Sequence, residues 1–470
     1  MRHLIHKELK DMFRQGLFQV GALAVLLLMV AAMAISYRYQ AVVEEQLAVA
    51  NEAARERWEN QGERNQHAAA HFGMYLFKPQ SALSWWDHGV EAFTGVSVYA
   101  EAHKRNPALY KPVQDSPSLA TWGELTPAFV MLFLLPLLAI WLSYGQIAGE
   151  KEAGTYRLVM SQGISPRKWM IAKAAAVWLA LLALVLPTYF VGAALLGGGA
   201  EVLSLRGMLL LGVYLLYLGI FIHLTLALSA RLSQATPVLV GMLGLWVLGL
   251  WVVPKLSAQA AEKLFPTPTG QAFQAAIHED IQQEGIPSHA PPTPKKKRVI
   301  QAMLTSYGVD RPEDLPVNFN GLRLQASEDA NDPIVDRHHQ RLYAQYARQE
   351  RVQALAGLLS PFTLARRLSM GLCQTDVWSQ VAFAEASEQH RRTFVKLMNE
   401  DIIAHGEAGT SWNVSASREL WESVPAFDPK PSRDTACRVL TTFFQRYALS
   451  LGLLLGWFGL AVGLWWRQAS

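Results

Sequence analysis

The side chains able to do chemistry unaided are few and dispersed. His67 and His71 stand four residues apart and His338 and His339 are adjacent, so either pair could contribute imidazoles to a metal site. Neither pair has a neighbouring Cys or a companion His at ligand spacing, so the chain reads as metal-free. The two thiols, Cys373 and Cys437, could close a bridge in an oxidising compartment or stay free. A hydrolase would need a recognisable constellation, yet the chain has no G-x-S-x-G elbow and no H-E-x-x-H zinc pair. It also lacks any Gly-Lys pair, so it cannot cradle nucleotide phosphates in the P-loop manner.

The most closely spaced signals are mechanical. They lie in residues 145–173, G-Q-I-A-G-E-K-E-A-G-T-Y-R-L-V-M-S-Q-G-I-S-P-R-K-W-M-I-A-K. Gly154 and Thr155 can break an incoming helix, with Thr155 capping a short helix that ends near Ser161. Gly163 can terminate it, and Ser165 caps the next helix with Pro166 in the first turn, where a missing N–H costs nothing. A short helix between glycine hinges suits the passage of force rather than a reaction.

What must position that helix is a membrane. Apolar residues make up 51% of the 470 and charged residues 17%, and the apolar ones gather in stretches about as long as a helix needs to cross a hydrocarbon core of ~30 Å. Six runs qualify: Leu17 to Ser36, Pro127 to Tyr144, Ala174 to Leu196, Met208 to Leu228, Pro237 to Val253 and Tyr447 to Trp466. None contains Asp, Glu, Lys or Arg, each of which costs about 2.5 to 3.5 kcal/mol at a helix centre on insertion scales. Charge-free spans argue against an ion or proton relay. A net charge of +4 gives no case for a nucleic-acid partner.

Placing both termini in the cytoplasm puts 11 Lys and Arg into 57 inside residues, roughly twice the density of the outside segments. The fold expected is an all-α polytopic membrane protein with two extracytoplasmic, mostly helical insertions. In chain order it has a cytoplasmic amphipathic helix (1–16), a first span (17–36), a first insertion (37–126), four spans with the short cytoplasmic helix at 155–161 (127–253), a large outer domain (254–446), a last span (447–466) and a cytoplasmic tail (467–470).

In the N-terminal helix Leu4 or Ile5, Leu9, Met12 and Phe13 oppose Lys7, Lys10 and Arg14, the pattern of a helix lying on the inner membrane face. Residues 37–65 read as a helix projecting outward, and the following tract with Trp85 and Trp86 as a cap folding back on it. In the larger insertion helical patterns run from Asp332 to Leu358 and from Asp376 to His405. Residues Pro294 to Val299, P-K-K-K-R-V, read as a solvated loop.

Glu150-Lys151-Glu152-Ala153-Gly154-Thr155, followed by Leu158, Ser161, Gly163, Ser165, Pro166 and Lys173, resembles the signature of type 2 ATP-binding-cassette (ABC) permeases, within the branch named for copper-enzyme maturation. Further matches are Arg57-Trp58-Glu59-Asn60-Gln61-Gly62, Phe77-Lys78-Pro79 and Glu101-Ala102-His103. The resemblance covers roughly residues 1–260 and the last span; residues 260–440 match only in placement.

The resemblance implies an exporter in the bacterial inner membrane, in which two permease subunits, identical or paralogous, pair with a cytoplasmic ATPase dimer. ATP and Mg²⁺ would be held on that partner, and this chain would carry no cofactor. The helix at 155–161 would be the coupling helix, with Gly154, Thr155, Arg157, Leu158, Ser161, Gly163 and Pro166 shaping the docking site and Glu150 and Glu152 at its approach. Two other functions compete. A membrane-anchored periplasmic enzyme would need a catalytic constellation in the insertions, and a cell-envelope assembly scaffold would have no use for a coupling helix.

Overall fold

The computed structural model describes the chain except residues 15, 116–122, 197, 288–293, 429–434 and 469–470, and except the side chains of 17 and 435–438. It opens with α1 (Arg2–Arg14) and α2 (Gly16–Glu59). With 44 residues α2 is about 66 Å long, twice the hydrocarbon thickness, so its apolar first half can span while its Glu- and Arg-rich second half projects. The projecting half carries α3 (Gln66–Phe72) and a two-stranded antiparallel ribbon of β1 (Met74–Phe77) and β2 (Ser97–Ala100), in which Met74 faces Ala100 and Phe77 faces Ser97.

The remaining membrane helices are α4 (Pro127–Glu152), α6 (Pro166–Leu195), α7 (Leu205–Arg231), α8 (Ala235–Leu264) and the membrane part of α14 (Thr435–Gln468); the short α5 (Thr155–Ser161) sits between α4 and α6. Five of the six apolar runs fall within these helices and the third overshoots α6 by one residue, Leu196, and the chain is a multi-pass membrane protein. The most enclosed span is α7, which buries Leu210, Tyr214, Tyr217, Leu218 and Ile222. Two spans widen by a π turn just before a proline, Val130–Leu134 before Pro136 and Leu248–Val252 before Pro254. A proline ring clashes with the carbonyl four residues back, and the wider turn relieves that clash without ending the helix. Accordingly α8 runs past Val253, where the sequence suggests a boundary, to Leu264.

Between α8 and the last span come α9 (Gly270–Glu284), α10 (Pro294–Ser306), α11 (Phe319–Ala356), α12 (Pro361–Cys373) and α13 (Val377–His405). The tract Pro294 to Val299 is thus the start of a helix rather than a solvated loop, and Lys296 is buried. The long helices α11 and α13 match the expected patterns and extend the first of them.

The two insertions do not stand apart. Trp58 Nε1 donates to the Trp421 carbonyl at 2.9 Å and Trp421 Nε1 to the Gly62 carbonyl at 3.0 Å, and both indoles are buried with Phe394 and Met398 in one core. The tract after β1 returns to α2 as expected, with Gln40 Oε1 accepting from Ser84 Oγ at 3.0 Å and from the Trp85 N–H at 2.7 Å. Part of the larger insertion drops back to the membrane: Phe362, Leu364, Leu368 and Leu372 of α12 share a core with the spans. Cys373 closes α12 inside that core and is fully buried, while its possible partner in a bridge is Cys437. The side chain of Cys437 lies outside the described residues.

Candidate functional site

Toward its C-terminal end α4 is interrupted at Tyr144, which leaves backbone groups for another element to satisfy. Ser229 of α7 does so. Its hydroxyl donates to the Tyr144 carbonyl at 2.7 Å and accepts from the N–H of Ile147 at 3.2 Å and of Ala148 at 2.9 Å. The last two turns of α4 are thereby locked to α7.

The next three side chains each fasten to a different span. Glu150 accepts from Lys173 Nζ of α6 at 2.7 Å. Lys151 Nζ donates to the Ala230 carbonyl at the end of α7. Glu152 Oε2 accepts from the Ala235 N–H at 3.0 Å, serving as a remote cap on α8, whose own preceding residue Gln234 makes no cap bond. Lys173 is 1% exposed and also donates to Glu8 of α1 at 2.8 Å. An unpaired buried ammonium would be costly. Here two carboxylates satisfy it, Lys7 balances Glu8 at 3.1 Å, and the Trp169 ring lies 4.8 Å from the Lys173 nitrogen.

Beyond these fastenings Gly154 takes a left-handed φ of 74° and α5 follows, ended by Gly163 at φ 78°. Thr155 is not the helix cap: Gly154 occupies that position, and the Thr155 hydroxyl donates back to the Glu150 carbonyl at 3.2 Å. Ser165 caps α6 by accepting from the Lys168 N–H, with Pro166 in the first turn as expected.

The two faces of α5 differ in kind. Tyr156, Val159 and Met160 pack against the membrane core, with the Tyr156 ring 5.4 Å from Trp169. Thr155, Arg157, Leu158 and Ser161 face outward, and Leu158 is 63% exposed. The structure therefore divides the residues singled out by sequence. Arg157, Leu158 and Ser161 share one free face, whereas Glu150 is half-buried against Lys173 and the exposed Glu152 reaches across to the start of α8.

Glu8 is the functional residue that sequence reading missed. Its place beside Leu4, Ile5 and Met12 at helical intervals puts it in line with the apolar stripe of α1, and that position is the signal that could have found it. Glu8 and Met12 are the buried residues of α1, while Phe13 is half exposed, so α1 packs on α6 instead of presenting a simple apolar face to lipid. Ser229 carried no local signal.

The sequence's histidine pairs part ways. His338 meets Asp280 at 2.8 Å and His339 meets the Val335 carbonyl at 2.9 Å, so these two do not converge. His67 and His71 do acquire a third imidazole, His103 from the turn after β2, which corrects the expectation that no companion stands at ligand spacing.

Residues 99–196, a stretch that includes α4, α5 and α6, match the family described as ABC-2 membrane transporter related. That stretch of the membrane region is therefore similar to the membrane region of ABC-2 type transporters. Over 134 residues the chain is 33% identical to the Probable ABC transporter permease protein NosY of Pseudomonas aeruginosa, an alignment covering 27% of this chain and 47% of that relative. The chain thus matches about half the length of this curated relative. Residues 271–430 match a domain of unknown function, DUF3526, a stretch that takes in nearly all of α9 and α10 through α13. No solved structure matches the chain.

Proposed function

We propose that this chain is the membrane-spanning subunit of an ABC exporter in a bacterial inner membrane, with both termini cytoplasmic and α5 docked in a groove of a separate ATPase dimer. One observation carries the reading: Glu150, Lys151 and Glu152 tie the base of α5 to α6, α7 and α8 in turn, while the opposite face of α5 keeps Leu158 bare. A helix whose base is anchored to three spans and whose opposite face is left free around Leu158 is built to transmit displacement. Closure of the ATPase pair on ATP and Mg²⁺ would push α5, and the three fastenings would pass the movement to the bundle. The sparsely enclosed spans α2, α8 and α14 leave apolar surface for lipid and for a second permease, a copy of this chain or a paralogue. The name of the relative NosY supports the permease assignment and says nothing of this chain's cargo.

The test is co-purification with the ATPase encoded beside it. The parent chain forms a stable complex with substrate- or lipid-sensitive ATP hydrolysis, and Leu158→Asp, which leaves the fold intact because Leu158 is exposed, releases the ATPase. Failure of any nucleotide-binding protein to associate would overturn the transporter reading. For orientation, a cysteine placed at the exposed Lys297 is labelled by an impermeant maleimide from outside and one at Leu158 only after permeabilisation; the reverse pattern would invert the topology.

A further inference from the structure

The cluster His67, His71 and His103 plays no part in the lever and lies on the other side of the membrane. The Asn65 side chain accepts from the N–H of His67 and of Ala68, which fixes the start of α3 and sets His67 and His71 one turn apart on one face. The Ala102 N–H donates to the Ala70 carbonyl at 3.0 Å and lays the turn after β2 across that face. His103 is held there at φ 63°, a left-handed backbone that non-glycine residues keep only where their surroundings dictate it, and such positions concentrate at functional sites. Ring centroids lie 4.7 Å apart for His67 and His71, and 5.2 Å from each of these to His103. One ligand nitrogen from each lies within 4.8 Å of the others.

A second shell is in place. Glu328 Oε1 meets His103 Nδ1 at 2.6 Å and accepts its backbone N–H at 3.1 Å, while the other Glu328 oxygen accepts from Arg391 at 3.0 Å. A carboxylate on Nδ1 assigns the proton to that nitrogen and turns the lone pair of Nε2 toward the cluster, the arrangement by which proteins orient metal-ligating histidines. Three imidazoles suit a borderline divalent transition metal. Ca²⁺ and Mg²⁺, which require oxygen ligands, do not fit them.

We propose that His67, His71 and His103 form an extracytoplasmic site for one transition-metal ion of the Zn²⁺ or Cu²⁺ class, oriented by Glu328 and Arg391. Bonds of 2.0–2.1 Å would bring the ligating nitrogens to about 3.3 Å from one another, a closure that side-chain rotation supplies. His71 is exposed, so the fourth position opens to solvent. The ion would clamp α3 to the turn after β2, both in the first insertion, and through Glu328 would tie them to α11 and α13 of the larger one.

The test uses the full-length chain, purified through a non-histidine tag, stripped with chelator and titrated with Zn²⁺ under metal quantification. One Zn²⁺ binds per chain. His71→Ala, an exposed change that spares the fold, and His103→Ala each weaken binding at least tenfold; Glu328→Gln weakens it about tenfold or more; His278→Ala and His405→Ala leave it unchanged. Co²⁺ added to the unmodified chain gives the intense visible bands of a four-coordinate ion. Stoichiometric binding that survives His71→Ala, absence of binding at micromolar Zn²⁺, or a Co²⁺ spectrum like that of the hydrated ion would each overturn the site.

Discussion

Glu8 and Lys173, 165 positions apart in sequence, meet at 2.8 Å beneath the membrane bundle with the lysine almost wholly enclosed. The same ammonium holds Glu150, so the N-terminal helix and the base of α5 share one buried cation. Pairs of this kind contribute little beyond an apolar equivalent while complete, but removing one partner strands the other. Lys173→Met leaves two carboxylates facing each other and costs about 3–5 kcal/mol. Thermal unfolding in detergent reads this as a large drop in midpoint, with Glu8→Gln giving a smaller one. Equal midpoints for Lys173→Met and the parent would show that the pair does not hold α1 in place.

Gly154 and Gly149 have equally open surroundings, since a Cβ at either would meet nothing within 4 Å. Their backbones differ. Gly154 sits at φ 74°, where an L side chain costs about 1–2 kcal/mol, whereas Gly149 is within α4, where alanine is the better helix former by about 1 kcal/mol. Gly154→Ala is therefore destabilising and shifts α5, while Gly149→Ala is neutral or stabilising. The midpoints of the two variants check this, and opposite signs are required.

Glu152 caps α8 from a distance through the Ala235 N–H. Its replacement by Ala removes both a hydrogen bond and a negative charge at a helix start, a loss of about 0.5–2 kcal/mol. Hydrogen exchange should show the effect confined to the first turn of α8. Protection lost instead at α5 would mean that Glu152 supports the lever directly.

His390 packs against Phe394 and Phe427 in the larger insertion, and burial together with the nearby Arg55 guanidinium lowers its pKa to about 4. The unfolded chain titrates near 6.5. The folded state thus keeps a neutral imidazole while the unfolded state takes up a proton: the stabilising contribution is complete above about pH 6.5 and is lost as pH falls toward 4. Between pH 7 and pH 4.5 the parent loses on the order of 2 kcal/mol relative to His390→Phe. Parallel pH profiles for the two proteins would contradict this sign.

What the residues alone settled here is local. Apolar length marked the six spans because a bilayer demands about 20 charge-free residues whatever the neighbours do. Ser165, Pro166, Gly154 and Gly163 bounded α5 because caps and left-handed turns are decided within a few residues. The resemblance rested on that same short tract. The fastenings were not legible, because Glu8 meets Lys173, and Ser229 meets the backbone of Tyr144, Ile147 and Ala148, only when separate helices pack, and no periodicity encodes a partner 165 positions away. For the same reason His103 was invisible beside His67 and His71: it joins them through a turn laid over α3 by one backbone hydrogen bond. The common core of Trp58 and Trp421, and the burial of Cys373, likewise depend on distant segments sharing one apolar interior, which is a property of the packed chain and not of any stretch of it.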